Sequence, residues 1–162
     1  MTGSAKGPVF LLIMMKRIIL SAFTAIMLIS CSRSGLAPVA KYYLPARLNE
    51  AMAEYMETVG EPEVDNLKVI YDCDSLCIIQ GHASAKDAAG KDRGDNFRYV
   101  FVKDPFMTAM TGKPVYYDAV QGSKLLSGKE LEEFRQKLRD GGSNTFNQFL
   151  AMGEPVSLFE NN

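Results

Sequence analysis

The side chains best able to do chemistry gather in one stretch, "YDCDSLCIIQGH", from Tyr71 to His82. It holds Cys73, Cys77 and His82, the one histidine of the chain, with Asp72 and Asp74 flanking the first cysteine. Such a set could be a disulfide, a redox couple or part of a metal site. Structural zinc sites bring two close pairs of ligands, whereas here three candidates lie on one predicted hairpin whose strands splay them onto different faces. No metal and no cofactor is expected. A histidine base needs a nucleophile to activate and a partner to orient it; His82 alternates with Gln80 and Ser84, the pattern of a solvent-facing strand position. A reactive thiol needs an electropositive setting, and the two aspartates beside Cys73 supply the opposite.

Pairing of Cys73 with Cys77 depends on the hairpin loop. An odd number of loop residues sets the two opposite one another on one face, at a Cβ separation of about 4.5–5.5 Å, slightly wider than the 3.5–4.5 Å of a disulfide. A three-residue loop also wants glycine in its left-handed position, where this chain offers Leu76. A two- or four-residue loop separates the cysteines onto opposite faces. Buried apolar thiols are the expected state, with a structural disulfide as the alternative.

Three other motifs fail on their chemistry. "GSKLLSGKE" (Gly122–Glu130) has the glycines and lysine of a phosphate-binding loop. It has five residues between the glycines where four are needed, and Glu130 stands where a magnesium-binding hydroxyl belongs. It is expected to be a turn into a capped helix. Arg93-Gly94-Asp95 matches the tripeptide read by integrins but falls in a polar stretch, "KDAAGKDRGDN" (Lys86–Asn96), expected to be a solvated loop. Asp87, Asp92 and Asp95 in that stretch miss the spacing of a calcium loop.

The remaining cysteine, Cys31, follows a basic pair and a twelve-residue uncharged run, Ile18–Ile29. A bilayer span needs about 20 apolar residues, and Lys16 and Arg17 block extension upstream. A basic region, a short apolar region and a small residue are the parts of a secretory signal. "Leu28-Ile29-Ser30-Cys31" resembles the lipobox of bacterial lipoproteins, in which the cysteine sulfur takes a diacylglycerol and the chain is cut before it. The resemblance implies that residues 1–30 are a signal peptide and that Cys31 is lipidated. "MMKRIILSAF" makes Met14 or Met15 the natural start of such a signal. Ser32 resembles the sorting residue of outer-membrane lipoproteins, and the lack of an acidic run after Cys31 implies the periplasmic face. The "YVFVKDPF" and "GKPVYYD" texture is similar to small envelope lipoproteins of Bacteroidetes.

The chain carries 18 basic and 19 acidic residues. Loss of residues 1–30 takes Lys6, Lys16 and Arg17 with it and leaves 15 against 19, a net charge of about −4. No block of either sign stands out, which argues against nucleic acid as a partner. Membrane attachment is expected through acyl chains on Cys31, each buried methylene contributing about 0.8 kcal/mol; a further protein or small-molecule partner is not specified by the sequence.

Residues 31–45, "CSRSGLAPVAKYYLP", read as a lipidated tether, and residues 46–162 as one domain. A helix is expected over Ala46–Val59, with Leu48, Met52, Tyr55, Met56 and Val59 on its inner face and Gly60 and Pro62 as its stop. Period-two alternation then predicts strands at Leu67–Cys73, Leu76–Ala85, Phe97–Lys103 and Val115–Val120. Phe97, Tyr99, Phe101 and Tyr117 are expected beneath the helices. Ser127 and Glu130 have capping-box spacing ahead of a helix presenting Leu131, Phe134 and Leu138 and ending at Gly141. A shorter helix with Phe146, Phe149 and Leu150 inward follows, and "EPVSLF" suggests an edge strand. The class is α+β: an antiparallel sheet of four to five strands with the N-terminal and C-terminal helices on one face. The expected function is a binding or interaction module rather than an enzyme. An envelope hydrolase whose site assembles only in the fold, or a thiol redox protein, is the alternative.

Overall fold

The computed structural model describes residues 35–155. The signal segment, Cys31 and the first residues of the expected tether lie outside the described residues. Helix α1 (Ala37–Met56) is followed by strands β1 (Thr58–Asp72), β2 (Leu76–Asp87) and β3 (Asp92–Lys103), a short helix α2 (Pro105–Thr111) and strand β4 (Tyr116–Gly122). Helix α3 (Gly128–Met152) and a two-residue strand β5 (Glu154–Pro155) complete the order. The strands pair in sequence order, each antiparallel to the next. The fold is α+β.

Helix α1 begins nine residues before the expected start and takes in most of the segment read as a tether. Leu36 just ahead of it, then Ala40, Leu44, Leu48 and Met52 are all buried. Their spacing of four makes one helical stripe. Pro45 sits inside the helix on its exposed side, where it costs about 3 kcal/mol through a lost backbone bond. Burial of Leu44 and Leu48 alone offsets this at about 1.5–3 kcal/mol each. The helix ends at Met56 because Glu57 turns left-handed and returns its N–H to the Met52 carbonyl. Tyr55 is therefore 75% exposed, and Val59, 56% exposed, belongs to β1 rather than the helix.

Gly60 stops no helix; at φ +85° it lies where the β1–β2 register slips between Val59 and Glu63. Glycine tolerates that backbone, and Pro62 is permitted because β1 is an edge strand. Strands β2 and β3 pair without a slip from Leu76↔Val102 to Lys86↔Asp92. Arg93, Gly94 and Asp95 thus lie in a strand, not a loop. The turn narrows to Ala88–Lys91, with Asp87 Oδ1 accepting from the Ala89 and Lys91 amides.

The helices do not share a face. Leu44, Leu48 and Met52 of α1 meet Cys77, Ile79, Phe97, Tyr99 and Phe101. Leu131 and Leu138 of α3, with Phe134 and Phe149 beside them, meet Ile70, Leu76, Ile78, Val100 and Val102. Adjacent residues of one strand, Ile78 and Ile79 or Val100 and Phe101, face opposite ways. The two clusters are therefore the two sides of the sheet. The expectation of one covered face fails because "LCII" and "YVFV" are apolar on both sides, the mark of a strand buried front and back. Tyr117 accordingly packs toward α3, while Tyr116 stacks on Phe101 at 5.1 Å.

Gly142, with φ 49° and ψ −133°, kinks α3 into two arms, close to the expected stop at Gly141. Glu130 is held by Lys124 Nζ at 3.0 Å instead of closing a capping box. Phe146 and Leu150 fall within α3, but their side chains are not among those described, and the expected edge strand beyond Pro155 lies outside the described residues.

Candidate functional site

The sequence-predicted candidates do not converge. Three residues, Cys73, Asp74 and Ser75, separate β1 from β2, and the Cys73 N–H donates to the Leu76 carbonyl at 2.9 Å, which leaves the two residues Asp74 and Ser75 at the tip of the turn. Asp72, not Cys73, is opposite Cys77. Both thiols are free; Cys77 belongs to the core beneath α1 and Cys73 packs on the α3 side. The disulfide alternative is thus corrected: the two-residue tip sends the side chains through opposite faces, and no bond joins them. Burial, ahead of the neighbouring Asp72, pushes the Cys77 thiol up to about 12, which leaves it protonated at neutral pH.

His82 is half-buried, its Nδ1 3.1 Å from Asn96 Oδ1. The segment after β4 is pinned by Gln80, which donates to the Leu126 carbonyl at 2.8 Å and accepts the Leu126 N–H at 2.9 Å. Among the described residues no cluster of three His, Cys, Asp or Glu side chains is placed to hold a metal ion, and no helix is long and apolar enough to cross a membrane.

What the fold does assemble is a groove between the second half of α1 and the rim of the sheet at β3 and β4. Its apolar part, about 340 Å³, is lined by Leu48, Met52, Tyr55, Phe97 and Val120 among others. A polar part of about 320 Å³ is bordered by Arg47, Glu50, Glu54, Asp118 and the rest of that β4 edge. Both parts are bordered by Ala51, Tyr55, Val120 and Gln121, so the two hollows adjoin along the cleft. The wall exists because α1 shows a face of small and long side chains there, and because Gly81 leaves room for the Phe97 ring, 3.0 Å from where a Cβ would stand.

Asp118, 2% exposed, anchors the polar end. Arg47 Nε donates to both of its oxygens, at 2.9 and 3.1 Å, and the Tyr99 hydroxyl donates at 2.7 Å. Arg47 also reaches Glu50 at 2.8 Å. Burial raises the Asp118 carboxyl above its ordinary range, against the pull of Tyr99 and Arg47. Burial would lower the Arg47 pKa, but Glu50 and Asp118 outweigh it and raise the value. The two partners respond differently because the Asp118 side chain is almost wholly enclosed and Arg47 still reaches solvent. A carboxylate with both oxygens engaged is not positioned to take a proton from a bound molecule. Its role is to fasten α1 to β4 beneath the cleft.

Sequence reasoning missed this network because Arg47 and Asp118 are 71 residues apart. The available signal was an aspartate in the strand "VYYDAV" at an inward position between Tyr116 and Val120. No protein-family model matches the chain, and neither curated proteins nor solved structures provide a match.

Proposed function

We propose that this protein is a lipoprotein of the bacterial envelope, anchored through Cys31 to the periplasmic face of the outer membrane, and that it works as a non-enzymatic binding module with the cleft beneath α1 as its site. The lipobox resemblance of Leu28–Cys31 supports the anchor. The observation that carries the binding reading is the cleft itself: an apolar hollow of about 340 Å³ adjoining a polar one, within the usual range for ligand sites. Its one buried charge, Asp118, is bonded to Arg47 and to the Tyr99 hydroxyl rather than poised for reaction.

Two experiments test the two halves. Metabolic labelling with an alkyne fatty acid should mark the wild-type chain, and Cys31→Ala should lose both the label and membrane fractionation. Unchanged fractionation would remove the anchor. A photo-crosslinking residue in place of Ala51, which borders both parts of the cleft, should capture a partner in intact cells. A clean absence of adducts there would remove the binding reading.

A further inference from the structure

Asp118 to Gln121, four consecutive residues of β4, line the polar end of the cleft. Side chains of a strand alternate between faces, so four in a row can border one cleft only where the backbone edge itself is presented. The hydrogen-bond phase of the sheet agrees. At one end of the β3–β4 ladder the Asp104 N–H donates to the Val115 carbonyl at 2.9 Å, and at the other the Ser123 N–H donates to the Asn96 carbonyl at 3.0 Å. Bonded and non-bonded pairs alternate along an antiparallel ladder. The pairs Tyr99↔Val120 and Phe97↔Gly122 fall in the non-bonded phase, so Val120 and Gly122 turn both N–H and C=O away from β3. Strand β5 meets only Tyr117 and Asp118 and, being antiparallel, runs away from Val120. Among the described residues no strand pairs with Val120 or Gly122 on that side.

The side chains around this edge have a definite character. Leu48, Met52 and Phe97 make the hollow above Val120 apolar. Glu50 and Glu54 stand exposed on the helix wall, and Asp95 Oδ2 lies 3.6 Å from where a Gly122 Cβ would be. The cation in the lining, Arg47, is committed to Asp118 and Glu50. We propose that the cleft receives an extended segment of a partner protein, which adds to β4 as a further strand. Paired residues share a face of the sheet. The partner residue opposite Val120 would be apolar and enter the hollow, and a lysine or arginine would stand opposite Gly122, facing Asp95. A second copy of this chain fits less well. Pairing β4 with itself brings Glu50 and Glu54 toward their own counterparts, a like-charge arrangement.

This inference rests on the binding-module reading and names the partner class for the same cleft. Its test uses the full chain in vesicles of neutral phosphatidylcholine with three probes: acetyl-Thr-Lys-Thr-Leu-Thr-Lys-Thr-amide, the same peptide N-methylated at leucine, and phenethylammonium. The peptide should slow amide exchange at Val120 and Gly122 by about tenfold or more, as new strand pairing does, and the N-methylated peptide should not. Val120→Pro removes an outward N–H that the β3 ladder does not use, so it should lose the peptide-induced protection at Gly122. Should that variant not fold, the comparison of the two peptides decides alone. Equal protection by both peptides, or calorimetric binding of phenethylammonium without the peptide, would overturn strand addition and leave the cleft a binding site. Protection without any probe that grows with protein concentration would assign the edge to a second copy and overturn it too. Binding of none of the three probes would count against the cleft as a site at all.

Discussion

Asp118 shows how one buried charge is kept. Its carboxylate accepts from Arg47 Nε and from the Tyr99 hydroxyl at 2.7–3.1 Å, so removing it takes the acceptor from a buried phenol and the tie that fastens Arg47 to β4, while Arg47 keeps Glu50. Asp118→Ala should cost about 3–5 kcal/mol in urea unfolding; a loss below about 1 kcal/mol would mean that the network contributes little to folding. The pH dependence has a definite sign. Because burial raises this carboxyl above its ordinary 3.8, the native protein takes up the proton at a higher pH than the unfolded chain. The stabilisation from that proton is fully present below 3.8 and lost as pH rises through the native value. Stability of the wild type relative to Asp118→Asn should therefore improve as pH falls from neutral toward about 4, and a difference that stays flat across that span contradicts the shift. The cysteines provide a second residue-scale test. In the full chain carrying Cys31→Ala, alkylation of the folded protein should reach half-buried Cys73 first, and Cys77 only on unfolding, since a buried protonated thiol is inert. Rapid labelling of Cys77 in the folded state would reopen the redox alternative.

At the scale of elements, the sheet has a helix on each side, and this makes a prediction about coupling. Leu48→Ala on α1 and Leu131→Ala on α3 should each cost about 2–5 kcal/mol. With the sheet between them, their effects should add to within about 0.5 kcal/mol. A coupling above about 1 kcal/mol would indicate that the two side chains share one core, as a one-sided arrangement requires. Pro45 tests the length of α1. It is exposed and interior to the helix, so Pro45→Ala restores a backbone bond to Lys41. The replacement should stabilise the protein by about 2 kcal/mol, the helix gain less the extra freedom of the unfolded chain. No gain would mean that the helix starts after Pro45, as its sequence suggests.

At the scale of the whole molecule, the proposed anchor would stand six residues ahead of α1, a reach of about 20 Å at most. Arg47, where the cleft begins, lies ten residues into the helix, about 15 Å along its axis. Membrane attachment through acyl chains, by a chain with a net charge of about −4 after the signal, should survive washing in molar salt and yield only to detergent. Release by salt alone would point to an electrostatic contact and against lipidation.

Much of this architecture was legible in the chain. Alternation in Cys77–Ala85 and Phe97–Lys103 assigned side chains to faces correctly, because period two is a property of the strand backbone and needs no knowledge of neighbours. Leu131, Phe134 and Leu138 were identified together for the same local reason. Helix α1 was half legible: the spacing of Leu48 and Met52 was visible, but Pro38, Gly35 and Pro45 suggested a tether, and only burial of Leu36, Ala40 and Leu44 against the sheet overrides that local signal. The loop between Cys73 and Leu76 turned on a single residue, which periodicity on either side does not determine. The cleft was not legible at all. Its walls come from Leu48 to Met56, Phe97 and Val120, segments brought together by strand order and by the face on which α1 settles. Amphipathic pattern says that a helix has an inner side; which side of a sheet it covers, and what rim it leaves open, is decided only when two apolar faces compete for it in three dimensions.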